Sequence, residues 1–275
     1  MSHLPSRRIS RTVRVSFLFW LILVCPLLAW ANSEVVNTQS PPASASSNLD
    51  VAKRIDPTDF KNRFDLRSEY VEYSGGSVQA IVPRLDYAVS KSLGFRVELP
   101  IERFRPAAGP SIDGISNLVT RVAWRPLRTD DVSVVVGTEL ILDTASSPKL
   151  GNGKNVLAPF VFAAFDLPRA KSVFFPYIQH GKAVGGDASR EDVEYTNLRA
   201  SFLTRLPAKA YSFIEYSHWI DHQRSNVVSS QIKAELGRFV LPNTGVYIRP
   251  GTGLSGTDQR YGMHWSLDIG LRHFF

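Results

Sequence analysis

G-M-H-W-S-L-D-I-G-L-R-H-F-F, residues 262–275, closes the chain, and its reading decides the rest. With a period of two, one face carries Trp265, Leu267, Ile269, Leu271, His273 and Phe275. The other carries His264, Ser266, Asp268, Gly270, Arg272 and Phe274. Strict alternation predicts a strand with different surroundings on its two sides. Here one side is almost purely apolar and the other holds a carboxylate and a guanidinium.

Upstream, the same period recurs in segments of roughly ten residues, separated by polar breaks that carry Gly or Pro. The segments are 64–73, 78–89, 94–103, 115–126, 132–142, 156–165, 173–184, 195–206, 211–220, 228–239 and 245–249. The C-terminal strand makes twelve. The segment at 94–103 is the cleanest, with Phe95, Val97, Leu99 and Ile101 set against Arg96, Glu98, Pro100 and Glu102. The segment at 156–165 has apolar residues on both faces, and 245–249 is short, so the spacing is compatible with ten to fourteen strands. The expected fold is all-β, a transmembrane antiparallel up-and-down barrel of about twelve strands, an even number as such barrels require. Breaks at 167–172 and 206–210 are short. Those at 104–114, 143–155, 185–194, 221–227 and 250–262 are longer, the asymmetry of periplasmic turns and extracellular loops. A soluble β-sandwich would have to expose to water rows such as Phe95/Val97/Leu99/Ile101. Aromatics near segment ends (Tyr70, Tyr73, Tyr87, Phe104, Trp124, Tyr211, Tyr216, Trp219, Trp265 and Phe275) are expected to form girdles at the two interfaces.

The N-terminus fits this reading. Arg7, Arg8, Arg11 and Arg14 precede an apolar run of about fourteen residues, short of the roughly twenty a spanning helix needs, and Ala29-Trp30-Ala31 offers a signal-peptidase site. The expected organisation is a signal peptide at 1–31, a flexible Ser/Ala/Pro-rich periplasmic linker at 32–58 and the barrel at 59–275. Cleavage removes Cys25, the one cysteine, and lowers the net charge from +7 by four, to +3. Thiol chemistry and thiolate metal sites leave with it. No basic run of the kind that binds nucleic acid remains. The expected location is the outer membrane. The expected partners are outer-membrane lipid, a small-molecule solute, and the barrel-assembly machinery reading the terminal Phe275; no cofactor is expected.

Three places could hold chemistry. His264 and Ser266 share a strand face with Asp268; a lipid-modifying hydrolase using His264 and Ser266 is one alternative to a channel, and a non-conducting structural barrel is the other. Residues i and i+2 on a strand stand about 6.5–7 Å apart, however, beyond the reach an activated serine needs. His218, Asp221 and His222 have helical metal-site spacing with no helix under it. Gly151-Asn152-Gly153-Lys154 lacks the strand–loop–helix context of a phosphate loop. The remaining chemistry is charge on the predicted interior face. The binding candidates are Arg84, Arg96, Glu98, Arg121, Arg125, Glu139, Arg199, Arg205, Asp268 and Arg272, with Arg67, Glu69, Asp86, Glu102, Lys233 and Glu235 beside them. Such rings either select a solute or pair among themselves.

The stretch 114–167 carries Gly114, Asn117 and Leu118, an apolar strand, and then Leu150, Gly151, Gly153 and Pro159. In these motifs the chain resembles the outer-membrane barrels grouped as the phenol meta-pathway (putative transporter) family. Asp143-Thr144 stands where that family has Pro-Thr. The resemblance implies an outer-membrane barrel for hydrophobic or aromatic solutes, acting as a channel or transporter without catalytic residues.

Overall fold

The computed structural model describes residues 54–275; the expected signal peptide and most of the expected linker lie outside them. Twelve antiparallel strands form a closed barrel. They are β1 Arg63–Tyr73, β2 Gly76–Ala88, β3 in two pieces (Leu93–Glu98 and Ile101–Pro106) and β4 in two pieces (Ile112–Ile115 and Leu118–Arg128). There follow β5 Val132–Leu142, β6 Lys154–Leu167, β7 Ser172–Gly186, β8 Glu194–Arg205, β9 Ala210–Asp221, β10 Val227–Leu241, β11 Thr244–Ser255 and β12 Trp265–Phe274. The two pieces of β3 are one strand because they pair with the two halves of β2. The same pieces pair in turn with the two pieces of β4. The barrel closes where β12 meets β1, from Arg63 opposite Phe274 to Glu72 opposite Trp265. Closure leaves no row of backbone N–H and C=O groups facing lipid, which a bilayer-spanning sheet cannot tolerate.

The turns on the side of the termini are short, at 89–92, 129–131, 168–171, 206–209 and 242–243. The opposite end carries loops 107–111, 143–153, 187–193, 222–226 and 256–264, with one tight turn at 74–75. By that asymmetry the barrel end that carries Arg63 and Phe274 is periplasmic and the longer loops are extracellular. Every long break read from the sequence falls on that one end, trimmed because the strands run further than their apolar rows. The expected strand at 245–249 is the extreme case: β11 continues through Pro250, Gly251 and Gly253 to Ser255.

Outward residues are apolar and exposed, among them Leu66, Ile81, Leu85, Phe95, Val122, Trp124, Ile178, Phe202, Ile214, Ile269 and Leu271. With Ile269 53 % exposed and its row neighbours similar, this surface is suited to hydrocarbon and not to water. Of the expected girdle, Tyr87, Trp124, Tyr216, Trp265 and Phe275 do face out. Tyr211 and Trp219 do not: they share a face with Glu215 and Ser217, so parity turns both inward, and Tyr211 is fully buried. The double-sided apolar pattern of β6 is explained the same way. Val156, Ala158, Phe160, Phe162 and Ala164 form a buried inner row, while Leu157, Val161 and Phe165 face out.

Four inward aromatics lie flat over a glycine directly opposite in register: Phe160 over Gly137, Tyr195 over Gly181, Tyr211 over Gly237 and Tyr247 over Gly270. A Cβ on Gly237 would come within 2.2 Å of the Tyr211 ring. Each glycine is thus the space a ring occupies, an arrangement that lets a bulky side chain lie along the wall of a curved sheet.

Candidate functional site

The candidate site is the lumen, and it has a floor, a chamber and a roof. The floor is made by residues 54–62, which cross the periplasmic mouth. Residues 54–58, the end of the expected linker, are seated here. Ile55 is buried among Phe175, Leu203, Tyr211, Phe239 and Phe274. Asp56 accepts hydrogen bonds from the Thr58 N–H at 2.8 Å and its hydroxyl at 2.7 Å, a local turn. Arg125 donates to the Thr58 carbonyl at 2.6 Å, and Asp59 pairs with Lys61 at 3.0 Å and Arg128 at 3.2 Å. Phe60 lies against Gly94, where a Cβ would sit 2.8 Å from its ring. Burial pushes the Asp56 carboxyl above the usual range, outweighing the Thr58 hydrogen bonds. For Asp59 burial acts the same way, but the hydrogen bond and charge of Lys61, with the charges of Arg128 and Arg125, bring it below that range.

The chamber above is a cavity of about 340 Å³. Its wall presents Arg63, Arg84, Arg96, Arg121, Arg199, Lys233, Arg249 and Arg272 against only two acids, Glu215 and Glu235. The other lumen acids stand behind the arginines. Asp86 is shared by three guanidiniums: Arg63 at 2.7 Å, Arg84 at 2.9 Å and Arg96 at 2.6 Å. Glu98 pairs with Arg67 at 2.8 Å, and Arg67 also holds Glu69. Glu139 accepts from Arg121 Nε at 2.7 Å and from Gln179. Arg199 has no ion pair among the described residues and lies 4.5 Å over the ring of Tyr177. On the far wall Asp268, fully buried, pairs with Arg249 at 2.7 Å and Lys233 at 3.7 Å. Arg272 sits between Asp65 at 3.4 Å and Glu235 at 3.1 Å, over the ring of Tyr247.

All ten candidate residues therefore face inward, but they do not form one site. Arg84, Arg96, Arg121, Arg199 and Arg272 reach the chamber; Glu98, Glu139 and Asp268 are their neighbours' counterions. Arg125 and Arg205 belong to the periplasmic end, the first holding the floor and the second Asp166 at 3.3 Å. Sequence reading missed Arg63, Asp65, Glu215 and Arg249. The first two have the parity of Arg67 but precede or open the apolar row, and Arg249 stood at the end of a strand read as too short.

The roof is extracellular. Trp219 stacks on Tyr261 at 5.0 Å, Tyr195 packs tilted against both rings, and Val193 is buried with them. Trp219 also lines the chamber beneath. Loop 143–153 docks into the break in β4, which accounts for the short motifs around Gly114 and Gly151. Ser116 Oγ donates to the Leu150 carbonyl at 2.6 Å, and Asn117 Nδ2 donates to Asn152 Oδ1 at 3.1 Å. A Cβ on Gly114 would meet Ser146 Oγ at 2.0 Å, and one on Gly151 would meet Asn117 Oδ1 at 2.6 Å.

The hydrolase alternative finds no geometry here. β12 starts at Trp265, which leaves His264 in the loop with its Nε2 3.1 Å from Asp258 Oδ1. Ser266 is packed inside with no hydrogen-bond partner for its hydroxyl among the described residues. His222 contacts Thr196 at 2.9 Å and Asn226 at 2.6 Å, and among the described residues no three His, Cys, Asp or Glu side chains are grouped to hold a metal.

No family model matches the chain, and no curated protein does. Solved structures do. The COG4313 outer membrane channel from Pseudomonas putida F1 superposes with a TM-score of 0.63 at 11 % identity, covering 80 % of this chain and 99 % of that one. The NanC porin gives 0.59 at 11 % identity over 77 % and 99 %. The KdgM porin, solved in complex with disordered oligogalacturonate, gives 0.52 at 12 % identity over 78 % and 99 %. The resemblance to the phenol meta-pathway family thus rests on its short motifs, while the fold of this chain is that of the porin-type β-barrels of the bacterial outer membrane.

Proposed function

We propose that the protein is an outer-membrane channel for small anionic solutes, with Arg84, Arg96, Arg121, Arg199 and Arg272 among the groups that attract them. The observation that carries this reading is the chamber wall, where eight basic side chains face two acidic ones. Arg63, Arg84 and Arg96 share Asp86, and Arg84 and Arg96 also lie 3.8 Å from Glu98, which Arg67 holds at 2.8 Å, so four guanidiniums meet at these two carboxylates. A fixed excess of one sign in a confined, low-dielectric passage raises the local concentration of the opposite ion. The hydrophobic or aromatic solute implied by the family resemblance is less well served: an apolar guest would strip water from guanidiniums and offer nothing in return. Only two aromatic side chains, Phe213 and Trp219, stand among the eight cations of the chamber wall.

The test is the reversal potential of the protein, purified from outer membranes, across a planar bilayer in a KCl gradient. The expected sign is that of chloride permeating better than potassium. The double variant R84Q/R96Q leaves Arg63 on Asp86 and should lower the anion preference by roughly two- to threefold, as removing part of a charge ring does. A cation-selective wild type would sink the proposal.

A further inference from the structure

Four consecutive residues of loop 187–193 and β8's approach each grip a different part of the extracellular mouth. Arg190 Nη2 donates to the carbonyls of Pro148 at 2.8 Å and Gly151 at 3.2 Å, in the loop docked on β4. Glu191 accepts a two-pronged contact from Arg224, Nε to Oε1 at 3.0 Å and Nη2 to Oε2 at 2.7 Å, and lies 3.8 Å from Arg260. Asp192 pairs with Lys154 Nζ at 2.8 Å, and its carbonyl accepts from Arg260 at 3.1 Å. Val193 is buried in the aromatic roof. Glu191, Arg224 and Arg260 come from three separate loops, so this one carboxylate ties three loops together over the roof.

The fork that Arg224 offers Glu191 is the geometry that any carboxylate would accept. Glu191 and Arg224 are each 46 % exposed, so a solute carboxylate can approach both, and an exposed pair of this kind is weak and exchangeable. Tethered to its loop, Glu191 competes at an effective concentration on the order of mM, which a solute at tens of mM can match. We propose that Arg224 and Arg260 form an outer docking site for small carboxylate anions, occupied in this structure by the chain's own Glu191, and that a solute opens the mouth by displacing it. This rests on the anion-channel reading. Displacement removes the tie between loop 187–193 and the loops of Arg224 and Arg260, which favours lifting Val193 from the aromatic cluster beneath it.

The test is single-channel recording of the protein purified from outer membranes, with sodium succinate added on the side of the long loops. For the wild type, succinate should raise the open probability about fivefold, the scale of breaking an exposed ion-pair network. E191Q should show that raised open probability without succinate and respond little to its addition. D187N is the control, because among the described residues the Asp187 carboxylate hydrogen-bonds only to Ser189 of its own loop, at 2.8 Å, and the variant keeps the backbone contacts, so it should behave as wild type. A heat-dependent mobility shift on a gel establishes that each variant is folded. If folded E191Q opens no more often than wild type, or if D187N matches E191Q, the latch is wrong. If succinate leaves the wild type unchanged, the docking site is wrong. The KCl-gradient reversal potential is read in the same recordings, so an anion-selective channel with an indifferent E191Q overturns this inference alone, whereas cation selectivity overturns the function proposed above.

Discussion

Arg272 shows most plainly what a charge inside this barrel costs and does. Its guanidinium is held by Asp65, Glu235 and the Tyr211 hydroxyl, the last at 2.9 Å, while Tyr211 and Tyr247 donate to Glu235 at 2.7 Å and Asp65 at 2.8 Å. All five side chains are buried. Replacing Arg272 with Met keeps the volume but leaves two buried carboxylates without their cation, so R272M should lose about 3–5 kcal/mol of stability. Urea unfolding in detergent, followed by tryptophan fluorescence, measures it. A steric counterpart is Gly237→Ala, whose methyl would overlap the Tyr211 ring. Overpacking of this kind costs about 1–3 kcal/mol, and G237A should lower the temperature of the gel mobility shift. Parity made most of these residues legible in the sequence: Arg67, Arg84, Arg96, Arg121, Glu235 and Asp268 alternate with apolar neighbours and all face inward. Pairing was not legible. That three arginines share Asp86 depends on register between β1, β2 and β3, which no single segment encodes.

At the scale of elements, the sequence was clearest where one face meets lipid and weakest where both faces are covered. The row Phe95/Val97 could only be read one way. β6 was ambiguous because its inner row is apolar too, packed under Phe60 and Tyr177. Segment 54–62 was invisible because it has no period, being held by individual contacts: Ile55 in an apolar socket, Arg125 on the Thr58 carbonyl, Asp59 among three cations. Its response to pH follows from two carboxyls of opposite sign. Asp59 lies below the usual value of 3.8, so its contribution is complete above that value and is lost as pH falls through the lowered one. Asp56 lies above it, so protonation as pH falls through the raised value favours the seated segment. The segment should therefore sit as firmly at about pH 5 as at about pH 7 and loosen only below the ordinary carboxylate range. A fluorophore at position 57 reports this through its anisotropy, and D59N should show the loosened signal already at neutral pH; loosening at about pH 5 in the wild type would contradict the assignment.

For the whole molecule, an even number of strands near twelve was legible from the spacing of the segments, and the structure fixes it at twelve within the ten to fourteen the sequence allowed. The closed floor and roof do not follow, since neither the Ile55 socket nor the Glu191 ties lie within a strand. The chamber is thus a basic compartment between a floor held by the Ile55 socket and the Asp59 ion pairs and a roof held by an aromatic cluster and the exposed Glu191 ties. Ionic strength acts on these differently. Salt screens the half-exposed Glu191–Arg224 pair readily and the buried pairs around Arg272 far less, so ionic strength acts on the extracellular end more than on the barrel wall.

The seam between Arg63–Tyr73 and Trp265–Phe274 has a consequence for how the molecule is made. Arg63 and Phe274 are partners at nearly the full length of the barrel sequence, and the N–H of Phe275 reaches the carbonyl of Asn62 at 3.1 Å. Until the last ten residues exist, every shorter chain carries two open strand margins, each able to pair with a neighbouring molecule. Contacts this distant in sequence are formed late and slowly, because the intervening chain must be ordered before they are rewarded. The barrel therefore cannot close before Trp265–Phe274 is in place beside Arg63–Tyr73, and its native topology is unavailable to any chain that stops short of that strand.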